Sequence, residues 1–538
     1  MTRTPPGRNG GGSTPTGHQG PGGAGGGGGW AGGEAWSRDG WRVHLPGTAD
    51  PAALVRRLGE QTIPELAARS AKRHGDRLAI SVDGDAATHA QLDDGAARMA
   101  GWLTRRIQPG DRVLLAAGSS PGFVRGYLGA LRAGAIVVLA SPGATQAELS
   151  HLTESSRPVL AIADPGPARR LPPGLPAITP AGLPAGAPPR HGIHPRPGDT
   201  ALLAYTSGTT GRPKGVPLTH AALATSIRAA MAAWRWTSDD VLVHALPLYH
   251  QHGLGGVHAT LIAGSSARLL AAFRAGPLLA ALPGATVLFA VPTIYQALAA
   301  APSRLPARLR LAVCGSAPLN PDLAERLAPA LGGTPLVRYG TTESGLDVSN
   351  PVTGPRAGTV GLPLPGVLCR LWSGAAEAAP GTDGEIQLRG PQVFGGYWQD
   401  PAATAGAFTA DGWFRTGDIG RVDPGTGHLA IRGRIKEMII SGGMNVYPRE
   451  VELVLEEHPA VAEAAVAGLP HERWGEQVTA WVVPRPGHTV DEAELIAHTR
   501  AALSAYKCPK RVFALDALPR NDLGKVVRAA LAGHTGER

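Results

Sequence analysis

Short apolar runs alternate with amphipathic stretches along most of the chain after about Trp41. Residues 111–118 and 135–140 have the pattern of buried strands, and residues 123–134 between them carry apolar positions at helical spacing. A further helix is predicted from about Thr145. Strands joined by helices at this spacing favour a parallel sheet with crossover connections. The predicted fold class is therefore α/β, with a large N-terminal domain of parallel or mixed sheets and helices.

The last hundred or so residues repeat the alternation on a smaller scale. Helices are predicted over 449–458 and 491–503, and strands over 461–468 and 478–484. This is the size of a small α+β domain. Because the stretch 432–436 before it is poor in apolar residues, we predict an N-terminal domain over 41–434 and a mobile C-terminal domain over 435–538.

Two segments depart from the alternating pattern. Residues 1–40 are glycine-rich and cannot bury enough apolar surface to offset their ordering entropy, so a disordered tail is predicted there. Residues 164–197 are rich in proline and are expected to be irregular and exposed.

Composition narrows the class of protein. The 538 residues are 43% hydrophobic, as expected of a globular chain, and no apolar run reaches the length of a membrane span. A secretory signal is not evident, so a cytoplasmic protein with reduced cysteines is expected. The formal charge of +9 comes from scattered arginines without interleaved aromatic residues, which argues against nucleic-acid binding and suits anionic small molecules.

The segment 205–220 reads YTSGTTGRPKGVPLTH and follows an apolar run at 201–204. Small and hydroxyl residues followed by a lysine suit close approach of the backbone to a polyphosphate. The spacing is not that of a Walker A loop, and an ordinary glycine-rich turn is the alternative. The residues predicted here to bind nucleotide are Thr206, Ser207, Gly208, Thr209, Thr210, Gly211 and Lys214.

Five further blocks follow in order. They are GSAP at 315–318, YGTTE at 339–343, TGD at 416–418, GRIKEMIISGGMNVYPREVE at 433–452 and PRNDLGK at 519–525. With YTSGTTGRPKGV, they make residues 50–530 closely similar to the AMP-forming acyl-CoA synthetases of the adenylating superfamily. In that family a carboxylate attacks the α-phosphate of ATP, and the thiol of coenzyme A then displaces AMP from the acyl-adenylate. The resemblance implies ATP, Mg²⁺ and coenzyme A as cofactors.

The resemblance also assigns roles near the nucleotide. Glu343 is expected to help hold Mg²⁺, and Thr342 to contact the α-phosphate. Asp418 is placed to accept hydrogen bonds from the ribose, with Arg434 as a nearby cation. The residues expected around the adenine are Gly315, Ser316, Ala317 and Tyr339.

Lys525 is the predicted catalytic lysine, carried to the reacting groups by closure of the C-terminal domain. Its PRNDLGK setting resembles sites of reversible acetylation, so a lysine acetyltransferase and deacetylase are possible partners. By resemblance Lys436 is the hinge about which that domain rotates between the two half-reactions. Ser441, Gly442 and Gly443 would then line the pantetheine channel, and an ordinary turn is the alternative interpretation of the two glycines.

Two features bear on the acid. Arg338 stands directly before YGTTE, and a buried guanidinium there would need an anionic partner, which a second substrate carboxylate would supply. His250, in the HQH of 250–252, is the preferred second pocket residue, and His252 is as readily structural. Both segments, with VPTIYQAL at 291–298, resemble the malonyl-CoA synthetase branch, which implies malonate and then methylmalonate. Arg338 could instead pair with Asp347 or Glu343.

Two departures and several alternatives stay open. Thr341 stands where that branch usually has methionine, and 345–347 read GLD instead of its commonest wording, so the pocket width could differ. A medium-chain or aromatic acyl-CoA synthetase is the second hypothesis, and an acyl-AMP ligase that loads a separate carrier protein is the third. A non-catalytic nucleotide-binding module is disfavoured because Lys214, Glu343 and Lys525 are all present.

Overall fold

The computed structural model describes residues 1, 32–180, 195–206, 213–301, 309–441, 444–521 and 524–535. Its helices are α1 (Gly33–His44), α2 (Pro51–Leu58), α3 (Ile63–His74), α4 (His89–Leu103), α5 (Pro121–Arg132), α6 (Gln146–Ser156), α7 (Pro165–Ala168), α8 (His220–Ala233), α9 (Gln251–Ala263), α10 (Ala275–Ala281), α11 (Pro292–Ala299), α12 (Pro321–Leu331), α13 (Pro401–Ala407), α14 (Pro448–Glu456), α15 (Glu492–Ala502) and α16 (Arg528–Leu531). Short 3-10 turns span Ile435–Glu437 and Ala532–His534.

The strands in chain order are β1 (Leu78–Val82), β2 (Asp85–Thr88), β3 (Arg112–Ala116), β4 (Ile136–Leu139), β5 (Leu160–Ala163), β6 (Ala177–Ile178), β7 (Thr200–Tyr205), β8 (Gly215–Thr219), β9 (Val241–His244), β10 (Ser266–Leu269), β11 (Val287–Ala290), β12 (Leu311–Cys314), β13 (Leu336–Tyr339), β14 (Val348–Ser349), β15 (Leu362–Pro363), β16 (Leu368–Ser373), β17 (Ala376–Glu377), β18 (Asp383–Arg389), β19 (Phe414–Val422), β20 (Leu429–Arg434), β21 (Ile439–Ser441), β22 (Met444–Val446), β23 (Val461–His471), β24 (Gly475–Pro484) and β25 (Arg511–Ala514).

Two mostly parallel sheets form the body of the N-terminal domain. One has the order β15-β14-β13-β12-β11-β9-β10-β1-β2 and the other β6-β5-β3-β4-β7-β8. Helix α5 contacts strands of both sheets, while α8 packs on the second sheet and α9 on the first. These helices are therefore layered between two apolar sheet faces, and one large cluster of buried side chains joins the layers.

Two antiparallel sheets complete the chain. β17-β16-β18-β19-β20 belongs to the N-terminal domain and shares its main apolar cluster. β22-β21-β24-β23, with β25 parallel to β24, forms a separate C-terminal domain. That domain has apolar clusters of its own, which include Val451, Val466 and Trp481. The fold class expected from the sequence is thus confirmed, and β20 ends at Arg434, where the domain boundary was predicted.

The predicted tail is too long by one helix. Residues 33–40 belong to α1, so the expectation of disorder to residue 40 is wrong for them; residues 2–31 lie outside the described part of the chain. Trp36 and Trp41 are buried, and their indole Nε1 groups donate to Gly427 O at 2.8 Å and to Val367 O at 2.9 Å. The two tryptophans bury enough apolar area to order a segment whose composition otherwise resembles the tail.

The helices and strands predicted from the apolar pattern are confirmed in both domains. They correspond to β3, α5, β4 and α6 in the N-terminal domain and to α14, β23, β24 and α15 in the C-terminal domain. The proline-rich interval is less irregular than predicted. It contains α7 and β6, and β6 extends the six-stranded sheet by pairing with β5. Among the described residues, no helix has both the length and the apolar character needed to cross a bilayer.

Candidate active site

The site forms where neighbouring strands of the nine-stranded sheet end. β12 and β13 run parallel in register, with Cys314 opposite Val337, so the residues that follow both strands meet at one edge. Ser316 follows β12 with φ of 72°, a conformation that is unusual for a residue other than glycine. The loop after Tyr339 returns to β14 and turns its polar residues into the same space.

A cavity of about 240 Å³ opens at this edge. Its wall brings together Lys525 from the C-terminal domain and residues from several predicted blocks. The predicted residues on the wall are Thr206, His250, Ser316, Arg338, Thr342, Glu343, Arg434 and Lys525. Apolar side chains of Trp234, Leu254 and Phe289 line its inner part. Positively charged side chains, a carboxylate and apolar side chains therefore line one open cavity.

Lys525 is held by its own loop. Its backbone N–H donates to Asn521 Oδ1 at 3.0 Å, and its carbonyl accepts from the Asn521 N–H at 2.9 Å. Gly524 has φ of +73° and lies so close to Thr293 of α11 that a Cβ there would be 3.2 Å from Thr293 Oγ1. Burial lowers the pKa of Lys525 to about 8, assisted by the positive charge of Arg434.

Asp418 joins strands β13 and β20. Its Oδ2 accepts from the Tyr339 hydroxyl at 2.6 Å, and its Oδ1 lies 2.8 Å from Arg434 Nε. The Asp418 charge raises the pKa of Arg434, and burial holds the pKa of Tyr339 well above its usual range. The carboxylate is therefore fixed in place by two donors while each oxygen keeps capacity to accept further hydrogen bonds.

Tyr397 links the predicted phosphate loop to Glu343, although no block of the sequence had marked it. Its hydroxyl donates to Glu343 Oε1 at 2.9 Å, and Lys214 Nζ lies 4.8 Å from the centre of its ring. Gln251 is a second residue that the motifs missed, and its Nε2 donates to Thr342 O at 2.7 Å. The available signal was position, since Gln251 lies between the two histidines of the HQH segment.

Arg338 lies against Gly315, where a Cβ would be 2.4 Å from its Nε. Burial lowers the pKa of its guanidinium to about 10, against the influence of Cys314 and Asp347, so it stays charged at neutral pH. Within the described ranges its Nε has no hydrogen-bond partner, and Asp347 acts on it by charge without a direct hydrogen bond. A charged donor thus faces the cavity without a direct protein counter-ion.

The two histidines differ in their surroundings. Burial lowers the pKa of His250 to about 4, and the next influence is the charge of Lys525. Burial also holds the pKa of His252 well below its usual range, with Arg338 next in importance. His252 Nδ1 is 3.3 Å from Ser316 Oγ, and its Nε2 has no partner among the described residues. The charge of Arg338 therefore acts on His252, which the sequence left as readily structural, and both residues line the cavity.

Other predicted residues are placed with less detail. The two ends of the phosphate loop meet, because Lys214 N donates to Thr206 Oγ1 at 3.2 Å. Lys436 lies in the turn Ile435–Glu437, and Ser441 is buried in β21. Ala317 directly follows Ser316 in the chain. Outside the described residues lie Ser207, Gly208, Thr209, Thr210, Gly211, Gly442 and Gly443.

Comparison with known proteins shows which family the chain belongs to. The family model of AMP-binding enzymes matches residues 67–398, and the model of the AMP-binding enzyme C-terminal domain matches residues 450–525. A feruloyl-CoA synthase of Amycolatopsis sp is 37% identical over 497 residues, covering 87% of this chain and 98% of the relative. An oxalate–CoA ligase of Arabidopsis thaliana is 36% identical over 515 residues, covering 89% of this chain and 100% of the relative.

Two further similarities concern malonate. A mitochondrial malonate–CoA ligase of Bos taurus is 33% identical over 540 residues, covering 90% of this chain and 88% of the relative. The crystal structure of ATP-bound MatB from Rhodopseudomonas palustris aligns with a TM-score of 0.81 at 37% identity, covering 87% of this chain and 98% of that chain. The names of the three sequence relatives state three different acids.

Proposed function

Because the chain belongs to the family of AMP-binding enzymes and is an AMP-forming acid–CoA ligase, we propose that it joins malonate, and secondarily methylmalonate, to coenzyme A. The observation that carries the choice of acid is Arg338, a charged guanidinium that faces the cavity with its Nε unpartnered among the described residues. A second carboxylate on the substrate would satisfy it in the geometry that arginine favours.

His252 supports the same choice. Its Nε2 has no partner among the described residues, it lines the same cavity as Arg338, and Ser316 at 3.3 Å from Nδ1 can fix the tautomer. With the Ser316 hydroxyl donating to Nδ1, Nε2 carries the hydrogen and donates to an anion. Arg338 and His252 would then hold the distal carboxylate, which leaves the proximal carboxylate to face the nucleotide.

The remaining residues divide the work of adenylation. Asp418, fixed by Tyr339 and Arg434, would accept from the ribose hydroxyls. Lys525 would place its ammonium where the proximal carboxylate meets the α-phosphate, so that two anions can approach. Opening of the C-terminal domain about Lys436 would then withdraw Lys525 and admit coenzyme A. Acetylation of Lys525 stays a prediction, and would remove this charge.

The residues fit a magnesium ion held jointly with substrate. Among the described residues, no three or more acidic, histidine or cysteine side chains are grouped so that they could hold a metal ion by themselves. The Tyr397 hydroxyl donates to Oε1 of Glu343, which leaves Oε2 available to an ion. A single carboxylate together with substrate phosphates is a usual arrangement for Mg²⁺. When bound, the ion would neutralise charge on the triphosphate, and Glu343 is the residue that would hold it.

The test is a specificity profile of the Arg338→Met variant. AMP release with free coenzyme A would be measured over malonate, methylmalonate, oxalate, succinate, acetate, octanoate and ferulate. Loss of a buried charged contact costs about 2 to 5 kcal/mol. The kcat/KM for malonate should therefore decrease by a factor between about 30 and several thousand. The kcat/KM values for monocarboxylates should change little. The matched control is Arg274→Met, at an exposed arginine outside the cavity wall.

An aromatic acid is the second candidate, since the feruloyl-CoA synthase relatives and the recess of Trp234, Leu254 and Phe289 favour it. This hypothesis predicts that the wild-type enzyme has a higher kcat/KM for ferulate than for malonate. It also predicts that Arg338→Met leaves the activity with ferulate largely intact. Replacing free coenzyme A by a phosphopantetheinyl carrier protein would separately test whether the acyl group is passed to a carrier.

A further inference from the structure

A buried carboxyl group lies behind Arg338. Asp347 ends the loop that follows β13, and its N–H donates to Tyr339 O at 3.1 Å. The next residues form β14, which pairs antiparallel with β13 so that Ser349 lies opposite Arg338. Asp347 is 0% exposed, and within the described part of the chain its Oδ1 has no hydrogen-bond partner. Asp347 therefore precedes the strand that pairs with Arg338, and its charge acts on Arg338 without a direct hydrogen bond among the described residues.

The groups that face Asp347 leave Arg338 as its source of positive charge. Tyr339 on β13 and Cys369 on β16 interact with it, and burial raises the pKa of both, so both stay neutral. Burial raises the pKa of Asp347 to about 7, while hydrogen bonding, chiefly from Ser344, and the charge of Arg338 act in the opposite direction. An anion that neutralises Arg338 would therefore remove one of the influences that favour the ionised form of Asp347.

We propose that Asp347 is the internal counter-ion of Arg338 and takes up one proton when the second carboxylate of the substrate docks on the guanidinium. This inference rests on the proposed dicarboxylate function. An arriving anion cancels the field that keeps Asp347 ionised and adds repulsion between two carboxylates. Protonation of Asp347 removes both effects, and the net charge of the buried group is then unchanged by binding.

A hydrogen-bonded path leads from the cavity to this carboxyl group. Ser344 Oγ donates to Asp347 Oδ2 at 2.6 Å, and Thr341 Oγ1 lies 2.8 Å from Ser344 Oγ. Thr341 and Ser344 both line the cavity. The proton comes from solvent in the cavity and passes along these hydroxyls, so no other donor is required.

Binding should then depend on pH with a defined sign. Below the pKa of Asp347 the free enzyme already holds the proton, and dicarboxylate binding needs no uptake. Above about pH 7 the proton must be taken up on binding, so kcat/KM for malonate should fall by up to about tenfold per pH unit. Asparagine at this position cannot ionise and should remove that dependence.

The experiment compares wild type with Asp347→Asn from about pH 6.5 to about pH 8.5 at saturating ATP and constant magnesium. The ratio of their kcat/KM values for malonate cancels titrations common to both enzymes, including that of Lys525. The logarithm of the wild-type value divided by the Asp347→Asn value should fall with rising pH, with a slope that approaches one per pH unit. Calorimetry of malonate binding with an uncleavable ATP analogue, in buffers of different ionisation enthalpy, should show uptake approaching one proton in wild type and none in the variant.

Ser344→Ala provides a second and independent variant. It removes the hydrogen bond that favours ionised Asp347, so the fall in kcat/KM should begin at a higher pH. If Asp347→Asn does not fold, this shift and the wild-type proton uptake decide the question. A flat ratio, or uptake of no protons by wild type that still turns over malonate, overturns the inference. Absence of malonate turnover at every pH instead refutes the proposed function on which it rests.

Discussion

Raising the pH should stop adenylation by removing the charge of Lys525. Its pKa is lowered from the ordinary 10.5 to about 8, chiefly by burial and then by Arg434. That difference corresponds to about 3 kcal/mol against the charged ammonium in the closed site without substrate. The Lys525 side chain is a charged ammonium below about pH 8 and a neutral amine above it. If the charged form is required, kcat/KM for ATP should fall about tenfold per pH unit above pH 8.

The assay is pyrophosphate release at saturating acid without coenzyme A, from about pH 6.5 to about pH 9.5. Lys525→Arg keeps its charge throughout this range, so the fall near pH 8 should disappear even if the rate is lower. Lys525→Met should lose adenylation at every pH. Supplying preformed acyl-adenylate with coenzyme A is the control, and both variants should retain most of that activity. An alkaline fall with the same midpoint in wild type and Lys525→Arg would refute the assignment.

Three further outcomes are expected. Trp41→Ala should lower the free energy of unfolding by about 3 to 5 kcal/mol in urea denaturation, because it removes a buried indole, whereas Val43→Ala, at 49% exposure on the same helix, should change it by less than about 0.5 kcal/mol. Gly315→Ala should displace the guanidinium of Arg338, since its Cβ would be 2.4 Å from Nε, and should raise KM for malonate more than KM for ATP. Arg520→Gln should lower pyrophosphate release about tenfold and spare thioester formation, because Arg520 Nη1 donates at 2.5 Å to the carbonyl of Gly524, directly before Lys525. Equal loss in both half-reactions would contradict a positioning role for Arg520.

The fold class followed from the sequence because its signals are local. Apolar runs and helical spacing fix which segments are strands and helices, and β3, α5, β4 and α6 appear where the pattern predicts them. The exceptions have physical causes. Two tryptophans order α1 despite its glycine-rich neighbourhood, and pairing with β5 orders β6 within a proline-rich interval. Both depend on contacts with residues that are distant in the chain.

The candidate site was predictable where a block carries its own chemistry. Glu343, Asp418 and Lys525 stand in recognisable motifs, and Arg338 was notable as a guanidinium beside one of them. The partners of these residues were not predictable. Tyr397 reaches Glu343 from a loop that no motif marks. A motif specifies residue types and nearby backbone shape, whereas a hydrogen bond between distant segments depends on how the layers pack.

By itself the sequence determined the enzyme class, the order of the elements and the charged groups available for binding an acid and a nucleotide. Tertiary structure alone decided that His252 and Arg338 line one cavity, and that Asp347 acts on Arg338 by charge without a direct hydrogen bond among the described residues. The physical reason is that the charge of a titratable group depends on its burial and on its distance from other charges. Both quantities arise only when strands and loops far apart in the chain enclose one cavity.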